Sequence, residues 1–174
     1  MKKYNISKYN PEFKDNQGRY LKEDWTAISD IGKVYNGKIF SSEDYLKMED
    51  NYIKAIYKIL NFNNLKTLKV DDVRKSFIQE KFLELINKRK IVYSQHLLNF
   101  YNKIESMETL EYQDIDLFCR LLLREDIGAK LFYPRKLKIF ICYDYLLGIF
   151  SSRSIEKVIP EIQDLGLFVE EFSD

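Results

Sequence analysis

Residues 131–150 constrain this chain more than any other stretch. They form its densest apolar segment, crowded with β-branched and aromatic side chains that suit a pleated, half-buried surface. Pro134-Arg135-Lys136 supplies a break where a hairpin turns. The pattern predicts three short strands, at about 130–133, 137–143 and 145–150. Residues 137–150 are too few to span a bilayer, and Lys138 and Asp144 interrupt them.

Helical patterns dominate what precedes. Ser41, with Asp44 three positions on, makes a capping box that opens a helix over 42–60. Tyr45, Met48, Tyr52, Ile56, Ile59 and Leu60 recur on one face of it. A strand is expected at 65–70. Asp71 or Asp72 then caps a second helix to about Arg89, and further helices are expected at 95–106 and 112–127. Residues 1–20 read as an arm tied down by Tyr4, Tyr9, Phe13 and Tyr20, and 37–40 as an edge strand. Ser154 caps a short helix, Gly166 ends it, and 167–172 reads as a last strand. The expected class is therefore α+β: a single domain over 1–174, mainly helical in its N-terminal two-thirds, with a small antiparallel sheet near the C-terminus.

Charge excludes some functions. Net charge is +1, so bulk electrostatics do not favour a polyanion partner. Residues 66–90 hold eight basic and four acidic residues, a mixture that reads as a solvated helix face rather than a nucleic-acid surface. Residues 154–174 hold six acids and one lysine. The two cysteines, Cys119 and Cys142, make no disulfide framework; both fall on apolar runs and are expected as buried free thiols in a reducing compartment. The N-terminus is charged with no apolar segment behind it, so a cytoplasmic protein is expected.

Chemistry-bearing motifs are sparse. The sequence has no glycine-rich phosphate loop, no Cys/His metal spacing and no G-x-S-x-G elbow. His96 is the only histidine, and no partner constellation for it is legible. Asp114 and Asp116, two apart on a helix, point different ways and do not share an ion. No catalytic residue, metal or cofactor is expected. The lone Trp25 lies among cap and turn residues, and Ser29, Asp30 and Gly32 suit a closed turn beside it. Trp25 and Asp30 are candidates for a contact site, or for a packed loop anchor and its turn.

Several stretches together resemble a known family. They are Tyr9-Asn-Pro-Glu-Phe-Lys-Asp15 through Gly18-Arg-Tyr20, then Asp24-Trp-Thr-Ala-Ile-Ser-Asp-Ile-Gly-Lys33, the helix start at Glu43-Asp-Tyr-Leu46, and Tyr143-Asp-Tyr145 with Gly166-Leu-Phe-Val-Glu-Glu-Phe172. In this order they resemble immunity proteins of contact-dependent growth inhibition (CDI) and related polymorphic-toxin systems. The resemblance runs from about Tyr9 to Phe172 and is loose over 63–109. The family pattern has Trp-Thr-Ser where this chain has Trp25-Thr26-Ala27.

The resemblance implies a non-enzymatic protein in the cytosol. It would bind, as a monomer in a 1:1 complex, the C-terminal toxin domain of a large secreted protein, often an RNase, and occlude it. Nucleic acid and membrane are not expected partners. On charge, Glu156, Glu161, Glu170 and Glu171 are candidates to mimic phosphate against a cationic RNase site. Trp25, Asp30, Tyr143, Asp144 and Tyr145 are candidate contacts from the shared motif. Two other classes stay open, a small nucleic-acid-processing enzyme and a generic protein-binding adaptor.

Overall fold

The structure is a computed structural model and describes residues 1–172. Its elements run β1 (Lys2–Ser7), β2 (Val34–Tyr35), β3 (Lys38–Ile39), α1 (Ser42–Phe62), β4 (Thr67–Lys75), α2 (Gln79–Lys88), α3 (Gln95–Lys103), β5 (Thr109–Glu111), α4 (Ile115–Leu123), β6 (Ile127–Tyr133), β7 (Leu137–Cys142), β8 (Leu146–Ser151), α5 (Ile159–Gln163) and β9 (Phe168–Phe172). Short 3-10 turns fill several joints.

The α+β class holds, but the expected balance is wrong. The main sheet has seven strands in the order β5-β4-β6-β7-β8-β1-β9, all antiparallel, and it draws strands from both ends of the chain. The residues read as an N-terminal arm supply β1, an interior strand between β8 and β9. Its partners lie at the far end of the chain, so no local pattern announces the pairing. A second correction falls on β4. A helix was expected from Asp71 or Asp72, yet the ladder to β6 continues through Arg74 and Lys75 across a bulge at which Asp72 has φ 58°. The helical stripe of Val73 and Phe77 loses to pairing with β6, and α2 starts only at Gln79. The expected edge strand at 37–40 is half of a two-residue hairpin outside the main sheet. Asn36-Gly37 turns it with positive φ at both positions.

α1 forms as its cap and stripe require. Ser41 Oγ accepts the Asp44 amide at 3.0 Å, and the Asp44 carboxylate accepts the Ser41 amide at 3.3 Å. Tyr45, Tyr52, Ile56, Ile59 and Leu60 point into one continuous core shared with residues of every other α-helix. β1, β4, β6, β7 and β8 give side chains of one face to it: Tyr4 and Ile6, Leu68, Leu131, Leu137 and Ile139, Leu147 and Ile149. The alternating partners on the opposite face, including Phe132, Phe140 and Phe150, stand outside that core. The molecule is thus a helical layer on one face of a sheet whose other face is open. No helix among the described residues is long and apolar enough to cross a membrane. Cys119 is buried as expected, whereas Cys142 is exposed, because its strand position points away from the helices.

Candidate functional site

The stretches that carry the resemblance are far apart in sequence and meet around one aromatic node. Trp25 is buried and stacks on Phe40 with centroids 4.5 Å apart. Tyr145 meets the indole edge-on at 4.9 Å, and Tyr45 lies tilted to it at 5.6 Å. From the first stretch, Tyr9 donates its hydroxyl to the Trp25 carbonyl at 3.3 Å. Tyr52 of α1 ties the ends together: its hydroxyl accepts the Lys8 amide at 2.8 Å and donates to the Tyr145 carbonyl at 2.6 Å. The Lys8 side chain is almost fully buried. Its ammonium lies 2.6 Å from Asp24 and over the rings of Tyr9 and Trp25, at 4.1 and 4.4 Å. Burial lowers the Lys8 pKa against the opposing pull of Asp24.

Asp30 closes the turn after Trp25. Its carboxylate accepts the amides of Thr26 at 2.8 Å and Ala27 at 3.2 Å and pairs with Lys33 at 2.7 Å. Residue 27 acts through its backbone, which an alanine supplies as well as a serine. Burial pushes the Asp30 carboxyl up, but Lys33 and the two amides outweigh it and hold the pKa below the ordinary carboxylate value.

Along the 28–31 turn of the Trp25 stretch lies a groove. Two hollows, of about 570 and 340 Å³, share Phe77 and Glu125. One is walled by the 28–31 turn and the C-terminal end of α2. The other runs over Leu122, Ile127 and Ala129 to Ile141, Cys142 and Tyr143. The floor is apolar, and Lys88, Arg89, Lys90 and Glu125 supply a charged rim. Tyr143 stands 87% exposed at one lip, and Ile78, beside Phe77, is 74% exposed. Glu125, which lines both hollows, and Asp144 and Tyr145, next along the chain from Tyr143, have φ of 60° without being glycine. The wall is braced from behind, where Asp126 accepts from Arg89 at 2.5 Å and from the Tyr93 hydroxyl at 2.9 Å.

The sequence candidates therefore separate into groups. Trp25, Asp30 and Tyr145 are brought together as buried support, while Tyr143 and Asp144 are presented outward. The four glutamates are not an unmatched acidic face. Glu156 and Glu171 share Lys2 at 3.2 and 3.1 Å, Glu161 pairs with Lys58 at 2.6 Å, and Glu170 pairs with Lys14. Phe77, Ile78 and Glu125 escaped the sequence reading. The first two were placed in a helix that does not reach them. Glu125 takes the left-handed position after a helix, where glycine is the usual signal.

Chemically the groove is suited to holding a protruding segment of another molecule. Partial burial raises the pKa of the Cys142 thiol. His96 is exposed on α3 and has no hydrogen-bond or ionic partner among the described residues. No three His, Cys, Asp or Glu side chains among those residues are grouped to hold a metal ion. No protein-family model, no curated protein and no solved structure matches this chain.

Proposed function

We propose that the chain is an immunity protein of the CDI or polymorphic-toxin kind. It binds one toxin domain in the cytosol of the producing cell and neutralises it by occlusion, with a toxin segment seated in the groove between Tyr143 and Phe77. The observation that carries this reading is that two of the resemblance stretches line the groove, 24–33 through Ile28, Ser29 and Ile31 and 143–145 through Tyr143, while Trp25 and Tyr145 of the same stretches pack together. A rigid aromatic support, a strained turn and an exposed tyrosine above an apolar floor are the parts from which tight protein interfaces are built. Such interfaces take most of their binding energy from a few desolvated aromatic anchors inside a polar rim. The lysine partners of Glu156, Glu161, Glu170 and Glu171 weaken the case for phosphate mimicry, so the proposed contact set centres on Tyr143, Asp144, Phe77 and Ile78.

The test is co-expression with the toxin domain encoded beside this chain. Growth rescue and co-purification at 1:1 are expected from the natural sequence. The double variant Tyr143→Ala, Ile78→Asp, which touches only exposed side chains, is expected to retain its melting curve while losing both. Failure of the natural chain to protect overturns the function, and full protection by the double variant overturns the groove.

A further inference from the structure

The outer face of the sheet carries a second surface. Register aligns one row of side chains across six consecutive strands: Lys69, Phe132, Lys138, Phe150, Lys3 and Phe172. Lysine and phenylalanine alternate without interruption, at the roughly 4.8 Å spacing of neighbouring strands. In the next row Phe140 lies directly over Gly148, so closely that a Cβ there would fall 2.1 Å from the ring. Phe150 meets Phe140 edge-on at 5.0 Å. Between Phe132 and Phe140 is an open hollow of about 510 Å³ flanked by Lys130 and Lys138.

Lys130, beside the hollow, lies 3.5 Å from Asp72. Lys69 and Lys138 have no carboxylate partner among the described residues, nor do Arg135 and Lys136 at the adjoining hairpin tip. Of the acids on the face, Glu170 is taken by Lys14, which leaves Asp71 and, at the β5 edge, Glu111. Protein-binding patches are depleted of lysine at their centre. Here a cation flanks the rings from one edge of the row to the other. That interleaving fits a chain that alternates stackable faces with negative charge.

We propose that this face binds single-stranded RNA, with bases stacked on Phe132, Phe140 and Phe150 and phosphates held by Lys69, Lys138 and the hairpin-tip cations. Asn5 lies beside Gly148 in the second row and offers an amide donor and acceptor to a 2′-hydroxyl. The near-neutral net charge conceals the surface, because Lys69, Lys138, Arg135 and Lys136 have no carboxylate partner among the described residues while many acids elsewhere are matched. The site shares no residue with the groove and stands whether or not a toxin is the groove's occupant.

The experiment is fluorescence anisotropy of the full chain with a labelled twelve-nucleotide oligouridylate. Saturable binding is expected, with a salt slope of roughly −2 to −3, the value for three or four phosphate contacts. Phe140→Ala and Lys138→Glu are each expected to weaken binding by about tenfold with the fold intact. Tyr143→Ala is expected to leave it unchanged, and the matching oligothymidylate to bind more weakly. Lys138→Glu, at an exposed position, keeps the test open if Phe140→Ala misfolds. No binding at about 100 µM protein, at the weak end of the non-specific range, overturns the proposal. So does binding indifferent to both variants, or equal affinity for the DNA oligomer.

Discussion

Trp25 and Asp30 stood open in the sequence between a contact site and an anchor with its turn, and the turn was legible because its hydrogen bonds are local. A carboxylate three or four residues after two amides, with a lysine three further on, closes on itself. The consequence is a pH dependence with a definite sign. The folded-state pKa of Asp30 lies below its unfolded value, so its stabilisation is complete above about pH 4 and is lost as pH falls through the folded value. Asp30→Asn keeps an acceptor for the Thr26 amide but loses the charge opposite Lys33. It is expected to cost about 1–2 kcal/mol at pH 7 and to flatten the acid limb of stability. Trp25, the only tryptophan and buried against Phe40, reports this directly by fluorescence in urea titrations at neutral and acid pH. An acid limb as steep as that of the natural chain would remove Asp30 from the account. What no residue type announced was the φ of 60° at Glu125 and Tyr145, which only the surrounding packing imposes.

At the scale of elements, α1 was legible because everything that makes it is local: a capping box, a clean apolar stripe and asparagines at its end. What joins α1 to α4 was not legible, since it is charge buried between two helices. Glu49, with no exposed surface, accepts from Arg124 at 2.7 and 2.8 Å and from Arg120 at 2.7 Å. Arg120 is held further by Asp116 and Asp50 at 2.7 and 2.8 Å. In sequence Glu49 belongs to the polar run of a surface helix. Only the packed structure turns it into the counter-ion of a buried guanidinium. Glu49→Leu is expected to cost about 3–5 kcal/mol, because it strands Arg124 in the core. The double variant Glu49→Leu, Arg124→Met is expected to recover much of that loss, since an apolar pair needs no compensation. A double-mutant cycle by chemical denaturation decides it, and additive losses would refute the coupling.

For the whole molecule, the feature that escaped the sequence is also the one on which the rest depends. Residues 131–150 announced a sheet, and β7 and β8 were found within a residue or two of their true ends. Nothing near them announces that the sheet continues through a strand from the opposite end of the chain. β1 is six residues long, and its alternation of Tyr4 and Ile6 with Lys3 and Asn5 is too brief to distinguish a strand from a loop. Yet β9 pairs with β1 alone among the described residues, the outer row passes through its Lys3, and the chain leads from it directly into the Tyr9–Trp25 contact. Deleting residues 1–7 therefore removes far more than a terminal strand. It frees the edge of β8, leaves β9 unpaired and opens the core where Tyr4 and Ile6 were buried. Losing those two side chains at about 2–5 kcal/mol each, together with two ladders of hydrogen bonds, matches the entire stability of an ordinary domain, about 5–15 kcal/mol. The truncated chain is expected to aggregate, to show no cooperative unfolding transition and to lose the buried Trp25 fluorescence. If it stayed monomeric with a sharp melt, β1 would be an accessory edge and the seven-stranded order would be wrong.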